Sequence, residues 1–299
     1  MFRHTKELQF TSKPAKPDAL YAMKLQELVG GQYGEMSVMM QYLFQGWSCR
    51  MPGKYKDMIL DIATEEIGHV EMLSTMVARL LEGAPAEVTA QAVGDNPVLG
   101  AIVGGMNPQQ AIISGGGALP TNSQGVPWSG GYIVASGNLL ADFQANVAAE
   151  AQSRLQTSRL YDMTDDPGVR EMLKFNLARD TFHQHQWLLG IQQLVEDGLA
   201  DVVEDSRADE ENQEHNHTFW SLGVDSAAGE GKWASPEQQV GGQPIEFLAE
   251  PAAVGGDDAM LPPPDPKLFA TYDGSLGKGT AGDHAGASGL LSKAKKALE

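Results

Sequence analysis

The hydrophobic and polar positions along the chain repeat at helical spacing in four long segments. In the second of these, Ile59, Ile62, Glu66, His69 and Leu73 follow one another at intervals of three and four, which places them on one face of a helix. The other three segments show the same spacing. The pattern therefore predicts four long helices, over residues 18–47, 54–81, 136–163 and 167–197.

Turn residues mark the ends of these helices. Asp18 is a plausible N-cap of the first helix, SCRMPGKY breaks the chain before the second, and TDDPG supplies a turn, a capping Asp and a Pro at the first position of the fourth. Residues 84–136, by contrast, are rich in Gly, Pro, Asn and Ser and show no sustained period. A connection of this length is typical of helical bundles with one long crossover.

The domain organisation follows from these segments. Residues 1–17 are predicted to form an extended lead-in, and residues 18–198 a four-helix bundle that includes the crossover over residues 84–136. Beyond residue 200 the chain is acidic and then rich in Gly and Pro, with isolated apolar anchors such as Phe247 and Leu268. We expect residues 199–299 to form an extended arm that packs between subunits of a homo-oligomer. The fold class is therefore mainly α, a four-helix bundle with one long Gly-rich crossover and an extended C-terminal arm.

Two of the helices carry a carboxylate and a histidine three residues apart. Glu66 and His69 lie in TEEIGH, and Asp180 and His183 lie in RDTFHQH; Glu35 stands on the helix before the first pair. Glu150 stands in the same relation to the second pair. A lone carboxylate from two helices and a Glu-x-x-His motif from the other two is the ligand pattern of two-metal sites in four-helix bundles.

The spacing along the chain predicts that these groups lie at one level of the bundle. Glu35, Glu66, Glu150 and His183 are each 15 to 17 residues from the centre of their hairpin turn, which corresponds to roughly 23 Å of helix. A buried carboxylate at such positions is costly unless it is paired or bound to a metal. A single Glu-x-x-His motif commonly arises by chance, but two of them at matched heights favour a metal site.

The residue pattern alone leaves open which carboxylates bind the metal, which metal is bound and what the protein does. Glu65 is four residues from His69 and is the alternative to Glu66 as a ligand. Asp180 is one methylene shorter than a glutamate, so we expect it to stay outside the ligand set and to act as an acid or base. Oxygen ligands with two imidazoles suit manganese or iron. The alternative functions are a ferritin-like di-iron oxidase and a non-catalytic structural bundle.

The net charge limits the classes of partner that the protein can bind, and the cysteine content indicates its cellular compartment. The formal net charge is −18, which disfavours nucleic acid and anionic membrane surfaces as partners. The single cysteine, Cys49, excludes an intrachain disulfide and favours a reducing compartment. The N-terminus lacks the apolar stretch of a signal peptide, and no run of 18 apolar residues occurs. The expected localisation is the cytoplasm.

Four stretches of the sequence resemble the manganese catalases, the non-haem catalase family. They are LVGGQYGEMSVMMQYLFQ, LDIATEEIGHVEML, NVAAEAQSRLQTSRLYDMTDDPGVREML and LARDTFHQHQW, within a resemblance that covers roughly residues 1–230. The resemblance implies a ferritin-like bundle with two manganese ions per subunit that disproportionates hydrogen peroxide to water and dioxygen. It assigns Glu35, Glu66 and His69 to one metal and Glu150 and His183 to the other, with Glu66 as the bridge.

The resemblance also implies roles outside the ligand set. Asp180 occupies the position where some relatives have a proton-transferring Glu, and Tyr42 matches a position next to the ligands. Asp57 and Asp61, together with Asn216 and Thr218, match a calcium site between subunits; the alternative for the two aspartates is an exposed acidic face. The family is typically hexameric, so the resemblance implies a homohexamer.

Overall fold

The computed structural model describes residues 5, 7–51, 53–83, 96–103, 105–200, 212, 214–224, 226–240 and 242–255. The contacts divide the chain into two compact units, Met1–Arg207 and Ala208–Glu299. The helices described in the first unit are α1 (Ala19–Gly30), α2 (Glu35–Ser48), α3 (Gly53–Leu81), α4 (Pro97–Val103), α5 (Pro108–Ile112), α6 (Leu139–Asp162) and α7 (Pro167–Glu196).

The long helices pack as a four-helix bundle. Helices α1 and α2 lie one after the other along α3, and α6 lies along α7; α1 and α2 also contact α6, and α3 contacts α7. One apolar cluster joins α1 and the start of α7 to the ends of α3 and α6. A second cluster joins α2 and the end of α7 to the starts of α3 and α6. Neighbouring helices are therefore antiparallel, which confirms the predicted mainly α bundle.

The prediction of one continuous helix over residues 18–47 is wrong. The chain leaves the helix after Gly30 and re-enters it at Glu35, because the GGQYG segment combines weak helix formers with close backbone contacts. A Cβ on Gly31 or Gly34 would lie 2.5 or 2.8 Å from the carbonyl oxygen of Glu27. The break makes Glu35 the first residue of α2, where the free N–H groups of the helix favour a carboxylate.

The other helix ends follow the capping signals in the sequence. The side chain of Asp18 accepts a hydrogen bond from the backbone N–H of Tyr21 at the start of α1. The Asp166 carboxylate accepts from the N–H groups of Gly168 and Val169 at the start of α7. Asp166 also accepts from the N–H of Ala15 at 2.7 Å, so the lead-in packs against the turn between α6 and α7.

The crossover is more ordered than its composition indicates. It contains α4, α5 and a 3₁₀ turn at Gly130–Tyr132, while residues 84–95 lie outside the described ranges. The side-chain amide of Gln26 on α1 donates to the carbonyl oxygens of Leu119 and Thr121. These hydrogen bonds hold the crossover backbone against α1. The hydrophobic periodicity of the sequence gives no sign of this contact.

The second unit contains short strands. β1 (Thr218–Ser221) pairs in parallel with β4 (Glu246–Ala249), and β2 (Gln239–Val240) pairs antiparallel with β3 (Gln243–Pro244). Phe219 and Phe247 stack across the parallel pair with ring centroids 5.6 Å apart; Leu268 lies outside the described residues. Among the helices that the structure describes, none is long and apolar enough to cross a membrane.

Candidate metal centre

Six acidic and histidine side chains meet in the middle of the bundle. Glu35 comes from α2, Glu66 and His69 from α3, Glu150 from α6, and Asp180 and His183 from α7. All six are fully buried, and they lie between the two apolar clusters. The spacing predicted that these residues lie at one level of the bundle, and in the structure their side chains are close together at that level.

Glu66 lies at the centre of the group. Its Oε2 is 2.8 Å from Nδ1 of His69, and its Oε1 is 2.6 Å from Nδ1 of His183. Glu35 Oε2 lies 3.4 Å from the same nitrogen of His69, and Glu150 lies 3.9 Å from that of His183. The two imidazole rings are nearly parallel, with centroids 5.6 Å apart. A single carboxylate thus stands between two histidines that each have a further carboxylate beside them.

These polar atoms lack the hydrogen bonds that burial normally requires. Within the described residues, no hydrogen-bond partner is present for Glu35 Oε2, both oxygens of Glu66, or either ring nitrogen of His69 and His183. Leaving buried polar groups unpaired costs about 1–3 kcal/mol each. The oxygen and imidazole donors can be grouped in threes within metal-ligating distance of one another. The donor set therefore fits divalent manganese or iron.

The electrostatics of the group also require positive charge. Burial raises the pKa of Glu35, and the charge of Glu66 raises it further; burial and Glu66 do the same to the pKa of Glu150. Burial would also raise the pKa of Glu66, but the close contact with His69 and His183 lowers it below its usual range. Several carboxylates compete for two imidazoles, and bound cations would relieve their repulsion.

Both carboxylate oxygens of Asp180 have hydrogen-bond partners. Its Oδ1 accepts from Nδ2 of Asn176 at 2.8 Å, and its Oδ2 lies 3.5 Å from the Ser153 hydroxyl. Distance alone does not separate Asp180 from the ligand candidates, since its Oδ1 is 3.7 Å from His69 Nδ1 and it joins two of the three possible metal groups. Unlike Glu35 and Glu66, however, Asp180 has no buried oxygen that lacks a hydrogen-bond partner within the described part of the chain. Burial and the charge of Glu35 raise its pKa well above the usual range.

Two further side chains hold carboxylates of the centre in place. The Tyr42 hydroxyl donates to Glu150 Oε1 at 2.7 Å, so Tyr42 lies where the resemblance implies. Asn176 donates to Glu35 Oε1 at 3.0 Å as well as to Asp180. Sequence reasoning missed the role of Asn176, although its place on the same helix face, one turn before Asp180, was a signal.

Glu65 lies on the outer side of the histidines. Its carboxylate is partly exposed and forms a two-point ion pair with Arg179 of α7, at 2.5 and 3.0 Å. Burial would raise the pKa of Glu65, but the nearby His183 and the hydrogen-bonded Arg179 lower it to about 2. Arg179 did not stand out in the sequence, because nothing along the chain indicates that it pairs with a residue of α3.

The four residues of the expected calcium site lie in different units. Asp57 and Asp61 are exposed and one turn apart on α3. In the second unit, Asn216 contacts Nδ1 of His217, and the Thr218 hydroxyl donates to the carbonyl oxygen of Glu214. The calcium site therefore stays a prediction.

The bundle and its buried carboxylate–histidine centre define a class of protein, the helical bundles with a metal-binding centre in their interior. Comparison with known proteins identifies the family. The model for manganese-containing catalases matches residues 1–281. A manganese catalase of Bacillus subtilis is 52% identical over 274 residues, which cover 92% of this chain and 99% of that protein. The chain belongs to the manganese catalase family.

Two other proteins extend the comparison. The uncharacterized protein YjqC of Bacillus subtilis is 51% identical over 265 residues, which cover 88% of this chain and 95% of that protein. The crystal structure of KatB, a manganese catalase from Anabaena, matches with a TM-score of 0.65 at 25% identity, covering 84% of this chain and all of that one. The family likeness therefore extends over most of the chain and over the fold.

Proposed function

We propose that this protein is a manganese catalase that converts two molecules of hydrogen peroxide into two of water and one of dioxygen. Membership in the family supports the activity. The observation within the molecule that supports it best is the set of buried oxygen and imidazole donors without hydrogen-bond partners. Bound manganese would supply the redox chemistry, accepting two electrons from one peroxide and returning two to another.

Five side chains would hold two manganese ions per subunit. Glu35 and His69 are adjacent on one side of Glu66, and Glu150 and His183 are adjacent on the other. Each oxygen of Glu66 faces a different histidine, as expected of a bridging carboxylate. Tyr42 and Asn176 would orient the terminal carboxylates Glu150 and Glu35 through the hydrogen bonds they donate.

Asp180 would move the protons that the reaction needs. Oxidation of peroxide releases two protons, and cleavage of the O–O bond consumes two. A buried carboxyl group beside the ligands can hold a proton between these half-reactions. Asp180, one methylene shorter than a glutamate and with both oxygens hydrogen-bonded, would stay outside the ligand set.

The finer expectations about assembly stay part of the proposal. The resemblance implies a homohexamer and a calcium ion held by Asp57, Asp61, Asn216 and Thr218, and the sequence favours the cytoplasm. Calcium titration of the manganese-loaded protein checks the calcium site, and mass measurement by light scattering checks the homohexamer. A variant with Asp57→Asn and Asp61→Asn serves as the control, since it should lose the calcium response.

Elemental analysis and oxygen evolution test the main proposal. Protein expressed with ample manganese should contain about two manganese ions per chain and should evolve dioxygen from peroxide after azide treatment, which removes haem catalase contamination. One metal or none per chain contradicts the two-metal centre. Two metals without oxygen evolution would favour a structural bundle, and activity with iron alone would favour a di-iron oxidase.

A further inference from the structure

The outer nitrogens of both histidines of the centre face the same carboxylate. Nε2 of His183 lies 3.3 Å from Oε2 of Glu65, and Nε2 of His69 lies 3.8 Å from Oε1. The inner nitrogens, Nδ1, face Glu66 on the opposite side of the rings. Glu65 and Glu66 are consecutive on α3, so the helix directs Glu65 to the outer edge of the rings and Glu66 to their inner edge.

This placement matters because of the chemistry of a neutral imidazole. A histidine that binds a metal through Nδ1 carries its proton on Nε2, and that N–H needs an acceptor. Both Nε2 atoms are buried and lack a hydrogen-bond partner among the described residues. The Glu65 carboxylate is the acidic group beside both of them, and a movement of about 1 Å or less brings both contacts to hydrogen-bond length.

Arg179 restrains Glu65 from the neighbouring helix. Its Nε and Nη2 contact the two oxygens of Glu65 at 2.5 and 3.0 Å, the two-point geometry that fixes the plane of a carboxylate. The guanidinium also lies 5.2 Å from the ring centroid of Phe182, which limits its freedom. Arg179 thus links α7, which carries His183, to α3, which carries His69.

We propose that Glu65, held by Arg179, is a positioning residue that serves both metal-binding histidines, fixing each ring in the form that presents Nδ1 to the metal. This inference rests on the proposed dimetal centre. Metal-binding histidines commonly have an acceptor each on their outer nitrogen; here one carboxylate serves two. Loss of Glu65 therefore acts on both metal positions at once, unlike the loss of either histidine.

Glu65→Gln tests the proposal with little change of shape. Glutamine has a single acceptor oxygen, so it cannot accept from two Nε2–H groups and retain its bond from Arg179. Competition with a chelating dye should show the dissociation constants of both Mn²⁺ ions raised about 10- to 100-fold. Glu171→Gln is the matched control, because Glu171 makes an exposed ion pair with Lys174 on α7 and its loss should leave both constants unchanged.

Two further measurements separate positioning from a purely structural role. The melting temperatures of the metal-free Glu65→Gln and Glu171→Gln proteins should lie within about 4 °C of each other. If Glu65 had a structural role instead, the melting temperature of the Glu65→Gln protein alone would fall. Arg179→Met should also weaken both ions, and it should add nothing in the Glu65→Gln background. Additive effects would show that Arg179 acts independently and would overturn the proposed restraint.

The outcomes distinguish this inference from the proposed function. A wild-type protein that binds no manganese contradicts the proposed function itself. A wild-type protein with two manganese ions, together with a Glu65→Gln variant that binds both ions equally well, overturns only the role of Glu65. A loss confined to one ion would overturn the shared role, because it would leave Glu65 serving a single histidine.

Discussion

Glu65 and Glu66 are neighbours in the sequence and differ completely in environment. Glu66 is fully buried with both oxygens facing histidine nitrogens, whereas Glu65 is partly exposed and paired with Arg179. Successive residues of a helix point about 100° apart, so the rotation of α3 in the bundle assigns one to the centre and the other to its edge. At the residue scale, the rotation of the helix decides which carboxylate faces the Nδ1 atoms of both histidines.

Glu66→Ala should lose both manganese ions, because it removes the side chain whose two oxygens face the Nδ1 atoms of the two histidines. His183→Ala should mainly weaken one ion, since Glu35 and His69 remain in place on the other side. Manganese per chain, measured after gel filtration, checks both variants. Full metal content in Glu66→Ala would show that Glu65 is the bridge instead.

Asp180→Ala should keep both manganese ions and lose turnover by about 10²–10⁴-fold, the usual contribution of a general acid or base. Its two oxygens already have hydrogen-bond partners, so its removal leaves the five ligand candidates in place. Metal analysis combined with steady-state oxygen evolution checks this. Loss of metal would instead make Asp180 a ligand, and retention of both metal and activity would place the proton transfer elsewhere.

At the scale of elements, glycines let the crossover approach the bundle. Gly30 ends α1, and a Cβ at this position would lie 2.5 Å from the carbonyl oxygen of Thr121 and 2.6 Å from its nitrogen. Gln26, one turn earlier, donates to the carbonyl oxygens of Leu119 and Thr121 in the same strip of crossover. The break between α1 and α2 and the path of the crossover are therefore linked by one backbone contact, close to Glu35.

Gly30→Ala should destabilise the fold by about 1–3 kcal/mol, because the methyl group meets backbone that cannot rotate away. Gly130→Ala is the control, since a Cβ there has no heavy atom within 4 Å. Thermal unfolding of the two metal-free variants provides the measurement. Equal melting temperatures would show that the crossover is free to move at Thr121.

At the scale of the whole molecule, the second unit has little apolar interior of its own among the described residues. Phe219 and Phe247 stack on each other, but Phe247, Leu248 and most of β4 remain exposed. Exposed apolar residues on a pairing strand are typical of surfaces that contact another chain. This supports the prediction that residues after 200 contribute to assembly.

A chain that ends at Gly229 should form a smaller assembly or melt at a lower temperature than the full chain. The truncation removes β4, the strand that pairs with β1, together with the ring that stacks on Phe219. Light scattering and thermal unfolding check the result against a chain that ends at Gly255, which keeps both strands. If both truncated chains match the full chain in mass and melting temperature, the arm is dispensable.

The sequence by itself determined the helical stretches apart from the break after Gly30, the turn at Asp166 and the level at which the carboxylates and histidines meet. Helical periodicity and capping are local properties, so spacing along the chain is enough to read them. The face shared by Glu66 and His69 on α3 matched the observed one for this reason.

Only the tertiary structure decided the contacts between helices. The close approach of Thr121 to Gly30, about ninety residues apart in the chain, and the hydrogen bond from Ser153 of the facing helix to Asp180 are two such contacts. The partnership of Glu65 with Arg179 likewise requires the relative rotation of α3 and α7. Such contacts arise from packing between distant segments, and helical periodicity within one segment carries no information about the rotation of its neighbour.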